Sequence, residues 1–244
     1  MIELSVYINN REKDAFINNL MQLPPPLVPI HFAQDEKVIV NKNEDKVLNV
    51  ESFEDFKQRN PLGFFLYSSE CEYDLKYFSD TDYFNVFMIF SKGCNVVELV
   101  PEFFKRISPN RPIFGYAANF EERNHRNRHF IKFGMNNIES WVGRDIDKYI
   151  PGFYWYTVLS RQIMEKHGVS LSDILPHVLS SQGNDIDTIV LQSYEDPNSW
   201  EAHADKIDAL CEELNGVFSI IDVQKAARGC KSYLEYNEAI EPWP

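Results

Sequence analysis

The chain reads as an α+β protein whose helices cover a largely antiparallel or mixed sheet, and three observations carry that reading. Short runs rich in β-branched and aromatic residues recur along it, separated by short polar turns, as half-buried strands require. Segments with helical spacing of apolar residues fall between some of these runs, so strands and helices alternate irregularly. No glycine-rich turn follows a strand and opens a helix, so the phosphate-binding signature of a parallel, doubly wound nucleotide fold is missing.

A first strand spans 2–8 and ends at Asn9 and Asn10, and a helix over about 11–21 follows, burying Phe16 and Leu20. Pro24, Pro25 and Pro26 end that helix and force an extended path into a strand at 28–33. The polar stretch 35–49 reads as a loop or a hairpin around 38–40, and 52–58 as a short helix. Strands at 63–68 and 83–89 flank an acidic loop or hairpin, in which Glu70, Glu72, Asp74, Asp80 and Asp82 stand against Lys76 beside Tyr73, Tyr77 and Phe78. Val96, Val100, Phe103 and Ile107 then recur at helical spacing. Glu98 and Glu102 come early in that helix and Lys105 and Arg106 late, as its dipole favours.

After Pro112 a strand spans 113–117, and the polar segment 119–132 carries the basic cluster Arg123, His125, Arg126, Arg128 and His129. A strand at 138–142 leads to Pro151, which suits the first turn of a helix that buries Trp155, Leu159 and Ile163 and stops at Gly168. Ser170 caps a short irregular helix disturbed by Pro176, and 188–191 is a strand. Asp196 and Pro197 open a helix that runs to Leu214; Gly216 ends it and 217–222 forms the last core strand. The tail, with Tyr233, Tyr236 and Trp243, packs back on the body. The whole reads as one domain over 1–244, or as two similar packed halves, 1–118 and 138–222, joined by the polar connector 119–137.

Hydrophobic residues make up 44% of the 244 and aromatics 14%, enough buried apolar area to offset the ordering entropy of a globular core. The formal net charge of −13 disfavours direct binding to nucleic-acid phosphates or anionic membrane and suits a basic protein partner. A solvated, self-repelling surface explains the same charge without any partner. Cys71, Cys94, Cys211 and Cys230 form no CxxC pair, so reduced, mostly buried thiols are expected. With no basic n-region before an apolar stretch and no apolar run near the ~20 residues of a membrane span, a cytoplasmic protein is expected.

Two acidic surfaces are the candidate partner-binding sites. In the helix 197–214, Glu201, Asp205, Asp208 and Glu212 follow at spacings of four, three and four, which places all four on one face. Trp200, Ile207, Leu210 and Leu214 form its buried face. The other surface is the segment 70–82, with Glu70, Glu72 and Asp74 for charge and Tyr73 and Tyr77 as aromatic anchors. His125 and His129, spaced i and i+4, would share a helical face, and with distant carboxylates they form the rival reading, a small hydrolase pocket. Arg126 stands where a zinc protease needs its Glu, and neighbouring cations oppose a metal, so neither metal nor cofactor is expected. No serine elbow is present, and the carboxylates around Cys211 disfavour its thiolate. Asp145 with Asp147, and Asp185 with Asp187, sit beside turn residues and take turn roles. No catalytic residue is assigned.

The phrases Val142-Gly143-Arg144-Asp145-Ile146, Tyr149-Ile150-Pro151-Gly152-Phe153-Tyr154-Trp155, His167-Gly168, Trp200 and Gly216-Val217-Phe218-Ser219 resemble a family of bacterial immunity proteins encoded beside polymorphic or type VI secreted toxins. The likeness covers about the C-terminal third of the chain. It implies a cytoplasmic, non-enzymatic protein that binds a cognate basic toxin and occludes it, usually through acidic and aromatic residues. Such proteins diverge at the binding surface, so the resemblance assigns no residue to the site.

Overall fold

The computed structural model describes residues 1–35, 46–47, 50–78, 80–185 and 187–244. Its strands are β1 (Ile2–Asn9), β2 (His31–Ala33), β3 (Gly63–Tyr67), β4 (Cys71–Tyr77), β5 (Tyr83–Phe90), β6 (Phe114–Asn119), β7 (Arg128–Phe133), β8 (Asn136–Trp141), β9 (Tyr156–Ser160), β10 (Ser180–Asp185) and β11 (Thr188–Gln192). Nine of them form one sheet in the order β10-β11-β9-β6-β1-β5-β4-β3-β2, with every neighbouring pair antiparallel. β7 and β8 make a separate hairpin. The helices are α1 (Lys13–Leu20), α2 (Val50–Arg59), α3 (Val96–Ile107), α4 (Phe120–Asn127), α5 (Arg161–His167), α6 (Leu171–Ile174), α7 (Ala204–Glu213), α8 (Ile220–Ala227) and α9 (Tyr233–Ile240). β6 pairs with β1 on one side and β9 on the other, so one sheet runs through both 1–118 and 138–222.

The side-chain period of two decides which residues the sheet buries. Leu4, Val6 and Ile8 of β1, Phe84, Val86 and Met88 of β5, and Tyr73 and Leu75 of β4 are all fully buried on one face. Against that face α1 sets Phe16, Ile17 and Leu20, and α3 sets Val100, Phe103, Phe104 and Ile107. Phe16 meets Phe84 at 5.6 Å between ring centroids, and Phe103 meets Tyr73 at 6.5 Å. α2 closes the β2–β3 end, where Phe56 packs on Phe32 at 4.5 Å. Each such side chain contributes roughly 1.5–3 kcal/mol on burial.

Several elements depart from the expected ones for identifiable reasons. The expected helix from Pro151 is an extended, fully buried segment that becomes β9, and only α5 is helical, ending at Gly168. All five residues of β9 are buried, so the run carries no period by which helix and strand are told apart. Ser160 is the true helix cap, accepting the Ile163 amide at 3.1 Å. The expected strand at 217–222 is a single parallel bridge between Val217 and Ile150, followed at once by α8. The expected helix 197–214 is a 3-10 turn, Pro197–His203, that precedes α7. Inside the connector 119–137 lie α4 and β7, and the acidic segment is the hairpin strand β4. The strand expected over 28–33 has only the three residues of β2, and 38–40 lies outside the described residues.

The other face of the sheet is treated unevenly. Over β6 and β9 the segment leading into β9 covers it: Tyr154 stacks on Tyr116 at 4.5 Å, and its amide donates to Thr157 Oγ1 at 3.0 Å. Over β3, β4, β5 and β1 a groove remains.

Candidate functional site

The same alternation that buries Val6, Leu75 and Val86 aims their neighbours Ser5, Tyr7, Asp74, Asn85 and Phe87 into the groove. Strand register lines these up in rungs across the floor. One runs Asp74, Phe87, Ser5, Tyr116 from β4 to β6, and the next runs Lys76, Asn85, Tyr7, Phe114. At ~4.8 Å between strands, each rung spans about 14 Å. The groove encloses about 520 Å³, within the usual range of ligand-sized clefts.

Its two rims differ in charge. Glu72 and Asp74 of β4, with Asp80 beyond the strand, make the acidic rim, and Asp74 pairs with Lys76 at 2.5 Å. Arg123 and Arg144 stand at the other rim. Arg123 on α4 donates from Nη1 to Glu3 Oε2 at 2.8 Å and lies over Phe87 at 5.3 Å and Trp141 at 4.7 Å. Arg144 is exposed and lies over the same indole at 5.7 Å. The turn that presents Arg144 is fixed from beneath. Asn127 Nδ2 donates to the carbonyls of Val142 and Gly143 at 3.2 and 3.3 Å, and its Oδ1 accepts from the Tyr154 hydroxyl at 2.7 Å. Gly143 has φ 73°, and a Cβ there would stand 2.3 Å from the Phe218 ring, so only glycine fits.

Burial pushes the Tyr7 hydroxyl up, while Arg144 and Arg123 pull it back. At the mouth, burial raises Tyr83, and the nearby carboxylates of Asp147 and Asp145 add to that. Both phenols therefore stay protonated and available as donors at neutral pH.

The residues expected to bind a partner are distributed differently. Glu72 and Asp74 line the groove, and Glu70 sits half-buried at the β3–β4 turn. Tyr73 is not an anchor: it is 0% exposed and its hydroxyl donates to the Leu27 carbonyl at 2.6 Å. Tyr77 also turns to the helix-covered face, with its ring 5.2 Å from Phe84 and the Lys13 ammonium 3.5 Å above it. Alternation in a strand forces this, because Tyr73 and Tyr77 share parity with Leu75 and not with Glu72 and Asp74.

The row Glu201, Asp205, Asp208, Glu212 is likewise not a free acidic face. Glu201, Asp205 and Glu212 are exposed, but Glu201 lies on the 3-10 turn, and Glu212 pairs with Lys225 of α8. Asp208 turns inward at 12% side-chain exposure, ion-paired to Arg126 and 2.7 Å from His125 Nε2. Arg126 reaches it from α4, a contact between residues 82 positions apart in the chain. Trp200 is half-buried against the His125 ring at 5.4 Å, and Ile207 and Leu210 are buried as expected.

His125 and His129 do not converge. His125 is on α4 with Asp208, whereas His129 is on β7, where Nδ1 lies 3.0 Å from the Tyr236 hydroxyl. Among the described residues no group of three or more His, Cys, Asp or Glu side chains is placed to hold a metal ion. Burial pushes the Cys211 thiol up to about 11, with Arg126 opposing, so it is a structural cysteine. No helix among the described residues is long and apolar enough to cross a membrane.

Sequence reasoning did not find Ser5, Tyr7, Asn85, Phe87 and Arg144 as site residues. β5 reads Tyr-Phe-Asn-Val-Phe-Met-Ile-Phe, with large side chains at both parities, so its open face carries no polarity signal. Arg144 fell within the resemblance phrases, but its place at the groove depends on the Asn127 contacts.

No protein-family model matches the chain, and no curated protein matches it. Among solved structures it is similar to the Pseudomonas aeruginosa T6SS protein PA0821, at TM-score 0.49 and 11% identity, over 99% of this chain and 72% of that one.

Proposed function

We propose that this chain is a binding protein without turnover of its own, which neutralises a cognate basic toxin by gripping it through the groove face of the sheet. The observation that carries the reading is the uncovered floor itself. The antiparallel strands β4, β5 and β1 present Asp74, Asn85, Phe87 and Tyr7 to the groove, with Glu72 and Asp80 beside them. A rigid floor of aromatic rings edged by carboxylates supplies anchors at low entropic cost and steers a cation-rich partner. The net charge of −13 adds a long-range field of the same sign. The resemblance to immunity proteins supports the same role. The rival hydrolase pocket loses its shared pair of histidines, since His125 contacts Asp208 and His129 contacts Tyr236.

The test is calorimetric titration of the product of the adjacent gene into the protein and into a Glu72→Lys, Asp74→Lys double variant. A 1:1 complex that the double reversal weakens at least tenfold supports the reading. No complex, or one indifferent to the double reversal, overturns it.

A further inference from the structure

Three arginines gather around one indole. Arg123, Arg128 and Arg144 lie over Trp141 at 4.7, 5.5 and 5.7 Å. Like charges held that close repel one another unless each meets a carboxylate. Two of them do: Arg123 pairs with Glu3 at 2.8 Å and Arg128 with Glu139 at 2.5 Å. The Arg144 guanidinium makes no ion pair or hydrogen bond among the described residues. Its neighbour Asp145 is engaged in its own turn, where Oδ1 accepts from the Asp147 amide at 2.9 Å. The turn that carries Arg144 is fixed, with the Arg144 amide donating to the Pro244 carboxylate end at 3.1 Å. A guanidinium backed by an aromatic face at the lining of a cleft is built to receive a carboxylate.

A second group in the same lining also lacks a partner. Tyr116 is 7% exposed and lines the groove with Arg144, yet its hydroxyl makes no hydrogen bond among the described residues. A buried hydroxyl without a partner is costly, and one that lines a cavity points to what the cavity takes. Burial keeps this phenol protonated, and its charge environment is set by Arg123 and Arg144 together, so it is a neutral donor in the field of both guanidiniums. Beside these donors runs a wall of rings. Tyr83 at the mouth, Tyr7, Phe114, Tyr116 and Tyr154 touch in succession, with centroids 5.5, 5.9, 6.3 and 4.5 Å apart.

We infer that the groove holds a site for a small aromatic acid, with Arg144 forking its carboxylate, the Tyr116 hydroxyl donating to the same group and the wall of rings seating its flat body. The pairing of Arg123 and Arg128 leaves one positive charge over, which matches a single carboxylate. A phosphate dianion exceeds it and is repelled further by the net charge of −13. The cavity of about 520 Å³ admits a ligand of this size whole. Arg144 is exposed, so the pair is partly screened and weakens with salt. The site needs only this chain and does not depend on the toxin-binding role.

The test is NMR titration of the isotopically labelled protein with phenylacetate, its neutral amide phenylacetamide, phenyl phosphate and N-acetylphenylalanine, the last carrying its carboxylate as a chain end does. Phenylacetate is expected to bind at least fivefold tighter than the amide and than phenyl phosphate, with shifts centred on Tyr7, Phe87, Tyr116 and Arg144. Arg144→Gln should erase the preference for the acid over the amide. Lys148→Gln, which removes the same charge from an exposed position nearby, should leave it intact. Tyr116→Phe, which keeps the ring, should weaken the acid and not the amide. Acid and amide binding alike, shifts centred elsewhere, or a preference that survives Arg144→Gln or falls equally with Lys148→Gln overturns the inference. At least fivefold tighter binding of N-acetylphenylalanine than of phenylacetate overturns it too, in favour of a chain end. The titrations contain no toxin, so this site can fail while the binding role stands, and the role can fail while the site remains.

Discussion

Arg126 of α4 and Asp208 of α7 form an ion pair in which the arginine side chain is 3% exposed, and the same guanidinium also meets Glu122 Oε1 at 3.4 Å. Removing one partner from a buried pair strands the other charge away from water. Asp208→Ala is therefore expected to cost about 3 kcal/mol in urea denaturation. Asp205→Ala, on the exposed side of the same helix, is expected to stay within about 0.5 kcal/mol. Equal small effects would mean that Asp208 belongs to the solvated surface after all.

Gly143 and Gly168 both have positive φ, 73° and 69°, yet they face different surroundings. An alanine at 143 meets the buried Phe218 ring, whereas at 168 nothing lies within 4 Å. Gly143→Ala should cost about 3 kcal/mol, combining backbone strain with overpacking, and Gly168→Ala about 1 kcal/mol from backbone alone. Thermal denaturation of the two variants checks the order, and a smaller loss at 143 would contradict the packing described for the Arg144 turn.

His129 stacks on Tyr236 at 5.6 Å, and burial lowers its pKa from the ordinary 6.5. The unfolded chain then binds this proton more readily than the folded one. Its contribution to stability is present above pH 6.5 and is lost as the pH falls through the lower folded value. His129→Phe keeps a ring against Tyr236 and should flatten the stability profile between pH 6.5 and that folded value. A profile of unchanged slope would show that other groups set it.

Cys71 and Cys211 are buried, and burial pushes both thiols up to about 11. Cys94 and Cys230 are half-buried. Timed iodoacetamide labelling read by mass spectrometry should modify Cys94 and Cys230 in the native protein, and Cys71 and Cys211 only on unfolding. Early labelling of Cys211 would contradict the packing of α7 over Arg126.

The fold class was legible because strands such as β1 and β5 and the helix α3 carry clear periods or flanking breaks. β9 was not, since it is buried on both faces and no period survives in Tyr-Thr-Val-Leu-Ser. The site was half legible. The charge of Glu72 and Asp74 stands out in sequence, but the parity that separates them from Tyr73 and Tyr77 requires the segment to be a strand and not a loop. Asp208 was misplaced for a different reason: helical spacing shows which residues share a face, not which face another helix covers. Arg126 supplies that information only through tertiary contact.

The central claim is that the groove face engages the partner, and the most direct measurement is hydrogen–deuterium exchange of the protein with and without the adjacent gene's product. Slower exchange at 80–83 and 141–145, the segments that edge the groove, with α1 and α3 unchanged, is the predicted result. Protection confined to 201–213, with the groove segments exchanging as in the unbound protein, would contradict it.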